Sequence, residues 1–299
     1  LVNEFPELQG VMGGHFAKSQ GFDNDICLAV REHYLPTGPE TKTPKKPYSI
    51  TLAMSDKIDT LTGFFSINLK PTSSKDPFAL RRSAIGVIRL VVENKLEIKL
   101  KDIINYSFLL FKEQNLNFDI KFAQQDLYKF ISERLRFYMK EKNIRSDIIE
   151  CSMTSYNTDQ IYKIFNKALI LNKLINKNIG QDIIFSYKRA SNILNYEVKK
   201  EKLELSETTD PGLFKNDSEK KLYKKLQEIR KYFTSLGSDE DCEKSLEILA
   251  EAKTEVSNFF KEVIVNDDNE SLKKNRLELL QLLCKTFNNY INFSNIEST

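Results

Sequence analysis

Helix breakers are spread very unevenly along this chain, and nothing else constrains its fold as much. Of 10 Gly and 8 Pro in 299 residues, only Gly86, Gly180, Pro211, Gly212 and Gly237 lie beyond residue 77. Gly and Pro weaken a helix interior by roughly 1 and 3 kcal/mol relative to Ala. A chain so poor in them, and rich in Lys, Glu, Leu and Ile, predicts long helices. No stretch alternates apolar and polar residues between hairpin turns, so no sheet is expected. The fold class is all-α, and the length suggests about two domains.

Apolar spacing places the elements. Asp25 is positioned to cap a helix through Ile26, Ala29, Val30 and Tyr34 that stops before Pro36. A Pro/Lys loop runs to Pro47, and Ser49 starts a helix with Ala53, Met54, Ile58, Leu61 and Phe65 on one stripe. Asp76 then reads as an N-cap with Pro77 at the first helical position. The helix that follows buries Leu80, Ala84, Ile88 and Val91 and shows Arg81, Arg82 and Arg89. Residues 100–160 predict two or three helices, one with a basic face of Lys129, Arg134, Arg136, Lys140, Lys142 and Arg145. Five further helices are expected at 158–177, 181–200, 217–235, 239–265 and 269–293, with Asp182, Asp217, Asp239 and Asp268 near their starts. Lengths near 20 residues with short connections suggest an up-and-down bundle.

Charge and cysteine narrow the function classes. With 45 Lys+Arg against 42 Asp+Glu the net charge is +3. Bulk charge therefore does not hold this chain to nucleic acid, and only local patches remain for that role. Residues 215–232 hold seven cations against three acids, and residues 238–255 hold seven acids against two lysines. No run approaches the ~18 apolar residues of a membrane span. The first residues lack the basic and apolar regions of a signal peptide and do not start with Met, so the chain is expected to be a piece of a longer one or a processed one. Cys27, Cys151, Cys242 and Cys284 are too far apart for a CxxC zinc site and read as free buried thiols of a reducing cytoplasm.

Chemical motifs are few. No phosphate-cradling glycine loop, nucleophile elbow or H-E-x-x-H occurs. Met12-Gly-Gly-His15 reads as a tight turn with a satisfied His. Asp56 and Asp59 stand one helical turn apart around Lys57, and Ala53-Met-Ser-Asp56-Lys57-Ile58 is similar to the helix that supplies the last metal-binding Asp in HD-superfamily phosphohydrolases. The His-Asp pair such a site also needs does not occur here, so Asp56 is expected to be structural.

Longer blocks carry a closer resemblance. Leu1-Val-Asn-Glu-Phe-Pro-Glu-Leu-Gln-Gly-Val-Met-Gly, Glu32-His-Tyr-Leu-Pro36, Ala53 to Thr60, Gly63-Phe-Phe and Leu69-Lys-Pro-Thr-Ser-Ser-Lys-Asp-Pro-Phe-Ala-Leu-Arg-Arg82 closely resemble the beta subunit of bacterial heterotetrameric glycyl-tRNA synthetase. The likeness continues at Leu135-Arg-Phe-Tyr, Ser146-Asp-Ile-Ile-Glu, Tyr187-Lys-Arg-Ala-Ser-Asn-Ile-Leu194, Val263-Ile-Val-Asn266 and Leu272-Lys-Lys-Asn-Arg-Leu-Glu-Leu-Leu280. It covers the whole chain and corresponds to the C-terminal portion of the family's subunit.

The resemblance implies an N-terminally incomplete HD-like helical domain at 1–97, a helical connecting region at 98–157, and at 158–299 a helical bundle like the anticodon-binding domain named for its Asp-Ala-Leu-Arg (DALR) motif. It implies a cytoplasmic, tRNA-binding part of a glycine–tRNA ligase, non-catalytic by itself, with no cofactor of its own. ATP and Mg would act at the partner alpha subunit, and a second beta subunit would complete an alpha2-beta2 assembly with no membrane contact. Lys70, Lys75, Arg81 and Arg82 would face the acceptor arm. Tyr187, Lys188, Arg189, Asn192 and Tyr196 would meet the anticodon stem and loop, with Lys220, Lys221, Lys224 and Lys225 on phosphates. Arg276 is expected in an ion pair within the bundle. Two rivals stay open: an HD-type metal-dependent phosphohydrolase and a purely architectural helical subunit.

Overall fold

The structure, a computed structural model, describes residues 4–114, 118–154, 159–236 and 241–297. Every regular element among them is helical, as the scarcity of breakers predicts. The chain forms two compact units, Leu1–Asn143 with Asn157–Phe165, and Ile144–Tyr156 with Asn166–Thr299. The expected connecting region at 98–157 is divided between them. Its helices carry apolar stripes that must be buried somewhere, and a stripe read from sequence does not say against what.

The first unit contains α1 (Val11–Ser19), α2 (Asn24–Glu32), α3 (Pro47–Ser66), α4 (Leu80–Glu93), α5 (Leu100–Glu113) and α6 (Ile120–Glu141). Helix α3 is the hub, packed against α2, α4, α5 and α6. Its Ala53, Ile58, Leu61 and Phe65 are buried, facing a core that includes Leu80, Ala84, Ile88, Ile104, Phe108, Leu127 and Ile131.

Three helix starts differ from expectation. Asp23, not Asp25, caps α2, its carboxylate accepting from the Asp25 amide at 2.8 Å. Helix α3 begins at Pro47, which needs no donor there, and Ser49 is buried inside the first turn. Asp76 does cap α4, accepting from the amides of Leu80 and Arg81 at 2.9 Å each. Pro77 nevertheless lies in a turn before the helix, because Ala79 takes a left-handed conformation (φ 53°). Arg89, expected on the surface, is buried. It donates to the carbonyls of Gly38 and Thr41 at 2.7 and 2.6 Å and to Glu93 at 2.6 Å, so it fastens the Pro/Gly loop to α4.

The second unit contains α7 (Ser146–Met153), most of α8 (Ile161–Leu174), α9 (Asn178–Glu201), α10 (Asp217–Ser235), α11 (Cys242–Ala250), α12 (Lys253–Glu262) and α13 (Glu270–Phe287). Helix α13 is buried on nearly every side and packs on α9 and α10. Gly180 makes the α8–α9 corner possible, since a Cβ there would stand 2.4 Å from both Ile175 Cα and Leu174 O.

The single helix expected over 239–265 is two, broken at Glu251-Ala252 without Gly or Pro. The bend keeps Leu246 and Leu249 buried before it and Val256 and Phe259 buried after it. Position 239 and Gly237 lie outside the described residues. The final helix ends at Phe287, and the chain then folds back so that Phe293 is buried. Asn216 and Asn269 occupy the N-cap positions, one residue before Asp217 and one residue after Asp268. Asp182 instead pairs with Lys253 at 2.6 Å. All four cysteines are free and buried.

Candidate nucleic-acid interface

In the first unit the basic residues of the 70–82 segment divide into tethered and open ones. Lys70 bonds Asp126 of α6 and lies over the Phe122 ring at 4.6 Å. Arg81 donates to the carbonyl of Thr72 and stands 3.9 Å from Asp76. Both therefore shape the loop. Lys75 and Arg82 are exposed, and their side chains make no hydrogen bond or ion pair among the described residues.

Asp56 lies beside Lys57, Arg82 and Tyr34 in a shallow pocket of about 130 Å³. Lys57 is buried and donates to the carbonyls of His33 and Tyr34 at 3.0 and 3.2 Å. Burial pulls its pKa down to about 8, with the Asp56 carboxylate opposing. Gly86 leaves room for this side chain, since a Cβ there would come within 2.8 Å of Lys57 Cε. No group of three or more His, Cys, Asp or Glu among the described residues gathers in a way that would hold a metal ion.

In the second unit, α9 presents two opposite faces. Tyr187 belongs to the inner one, which corrects its expected place on the RNA. Its ring packs at 5.6 Å from Phe293 and 6.3 Å from Phe287, and its hydroxyl meets Ser294 at 3.1 Å and Asn288 at 3.4 Å. That burial pushes the phenol pKa up. The outer face carries Phe185, Arg189, Asn192 and Tyr196, spaced four, three and four residues apart and all exposed. The Arg189 guanidinium lies 4.4 Å from the centre of the Phe260 ring of α12 and 5.9 Å from that of Phe185. Such stacking holds a flat cation flush with a surface and leaves its edge donors outward. Lys188 is half-buried at the border of the two faces. Phe185 was not among the expected residues, although its i,i+4 spacing to Arg189 is visible in the sequence.

On α10, Leu222, Leu226 and Ile229 face the core and Lys220, Lys221 and Lys224 face solvent. None of these three forms an ion pair among the described residues. Lys225 differs, since it bonds Glu251 at 2.6 Å, which raises its pKa. Arg276 sits in the expected internal network, bonded to Glu219 at 2.7 Å, Asp267 at 2.6 Å and the Ile264 carbonyl at 2.8 Å.

An exposed aromatic–Arg stripe on α9 and a lysine face on α10 are surfaces suited to splayed bases and to phosphates respectively. Residues 1–154 match the family model described as glycyl-tRNA synthetase beta subunit. The chain belongs to that family. Residues 183–298, which include most of α9 and all of α10, match the DALR anticodon binding domain. The glycine–tRNA ligase beta subunit of Rickettsia canadensis (strain McKiel) is 34% identical over 99% of this chain, which covers 42% of that protein. Those of Cereibacter sphaeroides (strain ATCC 17023) and Ruegeria sp. (strain TM1040) are each 34% identical over 99% of the chain, covering 43% and 42% of their lengths. The chain thus spans about two fifths of the length of the curated relatives it matches. No helix among the described residues is long and apolar enough to cross a membrane.

Proposed function

We propose that this chain is the tRNA-binding part of a glycine–tRNA ligase beta subunit, and that its second unit grips the anticodon stem and loop of tRNA(Gly). The observation that carries this reading is the outer face of α9, an exposed Phe–Arg–Asn–Tyr stripe inside the segment that matches the anticodon-binding family. Anticodon bases are unstacked and present both faces and edges. Phe185 and Tyr196 offer rings for stacking, worth about 1–3 kcal/mol per base. Arg189 and Asn192 offer donors, and Asn192 an acceptor, for base edges. Lys220, Lys221 and Lys224 neutralise phosphates, while Lys75 and Arg82 of the first unit serve the acceptor arm.

Glycine activation with ATP and Mg belongs to a partner alpha subunit in the cytoplasm, joined in an alpha2-beta2 assembly. This chain contributes recognition and no bond-making group. The opposite roles of neighbouring residues on α9 support that division. Tyr187 is committed to packing, while Arg189, two positions on, is held flat and outward-facing.

The test is equilibrium binding of tRNA(Gly) and an anticodon-swapped tRNA by the chain, alone and with alpha subunit, across a salt series. Arg189→Ala is expected to weaken tRNA(Gly) about 10-fold or more and the swapped tRNA less, because base contacts specify and phosphate contacts only position. Reversing Lys220, Lys221 and Lys224 to Glu should weaken both tRNAs alike. It should also flatten the slope of log K against log salt by about 2, at roughly 0.7 per contact. Binding unchanged in both variants removes this surface from tRNA recognition.

A further inference from the structure

Between the 36–39 loop, α4 and α6 of the first unit lies a cleft of about 410 Å³ whose lining shares only Arg82 with the tRNA reading. We propose that it binds a nucleoside 5′-phosphate, with the base against Phe137 and the phosphate held by Arg82, Arg134 and Lys142.

The charges around the cleft fall into two groups. Arg89 and Glu93 form a neutral pair spent on the fold, since Arg89 also holds two loop carbonyls and Glu93 also accepts from Thr43 at 3.0 Å. Arg81 is turned toward the 72–76 loop. Arg82, Arg134 and Lys142 remain, with Glu141 the one further acid lining the cleft. None of the three cations forms an ion pair among the described residues. Three uncommitted cations against one carboxylate select an anion.

Arg134 is the most telling. Its Nε is buried and has no hydrogen-bond partner among the described residues. A buried N–H left without an acceptor is unfavourable, and a bound anion would supply one. The guanidinium is held between Phe130 and Phe137, 5.8 and 5.9 Å from their centres, so it is already oriented for a planar anion. Phe137 is a large apolar side chain left 48% exposed at the cleft, and its free face suits a flat ring. Lys142 lies over the Tyr138 ring at 5.3 Å, at the mouth of the same cleft. The volume lies within the range of about 300–1,000 Å³ usual for small-molecule sites. An inorganic anion would use the cations and leave the aromatic face bare, whereas a nucleoside would do the reverse.

The same chemistry comes from a free nucleotide or from an unpaired nucleotide of an RNA. Titration calorimetry with the 299-residue chain would use AMP, GMP, CMP and UMP, with adenosine and inorganic phosphate as fragments. At least one monophosphate is expected to bind with Kd below about 1 mM, each fragment at least tenfold weaker. Arg134→Met and, separately, Arg82→Ser should each weaken it tenfold or more. The second, being a surface change, keeps the test valid should the first unfold. Addition of tRNA that displaces the monophosphate identifies an RNA nucleotide as the source, while co-binding identifies a free one. Failure of all four monophosphates at 5 mM overturns the proposal, as does binding unaffected by both substitutions. Neither outcome bears on α9, whose test reads tRNA alone.

Discussion

Buried cations do different work in the two units. In the first unit they bind chiefly backbone carbonyls, with Glu93 beside Arg89 the one carboxylate among their partners. Arg89 holds Gly38 and Thr41, Lys57 holds His33 and Tyr34, and the more exposed Lys45 reaches the carbonyl of Glu93. In the second unit they bind chiefly carboxylates, the Ile264 carbonyl being the one backbone partner of Arg276. Arg276 meets Glu219 and Asp267, and Lys273 meets Glu197 and Glu201 at 3.0 and 2.5 Å. The distribution of breakers explains the difference. A Gly/Pro-rich segment forms no regular ladder of backbone hydrogen bonds and leaves carbonyls to be satisfied near the core. Long helices satisfy their own backbone, so a cation between them must find another side chain.

Breaking one member of each class tests this account. The larger effect is expected at Arg276, whose side chain is 5% exposed and whose partner Glu219 is 1% exposed. Glu219 also accepts from the amides of Lys215 and Asn216 at 2.8 Å each, so it cannot be released without uncapping α10. Arg276→Met therefore leaves a buried carboxylate without its counter-charge. It should destabilise the second unit by about 3–5 kcal/mol in urea unfolding followed by far-UV circular dichroism. A loss under 1 kcal/mol would show the network to be solvated.

Lys57 comes next, and its signature is in pH. Its folded pKa of about 8 lies below the unfolded value of 10.5. Between those values the unfolded chain binds more protons, so stability must rise with pH. The penalty of burying the ammonium is present in full below pH 8 and is relieved above it. From pH 7.5 to 10 the chain should gain about 2–3 kcal/mol relative to Lys57→Met, which has nothing to titrate there. The window stops at pH 10 because burial holds Tyr128 and Tyr138 up to about 12, and their titration has the opposite sign. Parallel pH profiles of the two proteins would mean that the carbonyls of His33 and Tyr34 stabilise the ammonium fully.

Much of this was readable in the residues, and the misses share one cause. The boundaries of α10 were predicted to the residue because its lysines and leucines alternate at a clean helical period. The break at Ala252 was not, because no local signal marks it and only packing against α9 and α10 demands it. Asp23, Asn216 and Asn269 cap helices where an acid one or two residues away was expected, since backbone geometry picks among neighbouring polar residues. Arg189 and Tyr187 lie two positions apart, about 200° around a helix, so they face opposite ways. Choosing which one faces inward requires the partner, and here Phe287 and Phe293 claim the tyrosine. The burial of Arg89 was hidden for the same reason, because its carbonyl acceptors lie about fifty residues away.

The smallest expected effect sharpens the comparison from its exposed edge. Lys225 also pairs with a carboxylate, but its side chain is 22% exposed and that of Glu251 57%. Water and salt screen such a pair, and ordering two long side chains offsets most of the attraction, so exposed pairs contribute only about 0.2–1 kcal/mol. Lys225→Ala should therefore lower stability by no more than about 1 kcal/mol, several times less than Arg276→Met. Its effect on tRNA separates it from its neighbours as well. A cation already neutralised by Glu251 releases few further counterions when a phosphate approaches. Lys225→Ala should thus leave the salt slope within about 0.2 of the parent, while Lys221→Ala should reduce it by about 0.7, the share of one phosphate contact. Equal changes in the two variants would show that the Glu251 pair opens on the RNA, and that α10 offers four phosphate contacts rather than three.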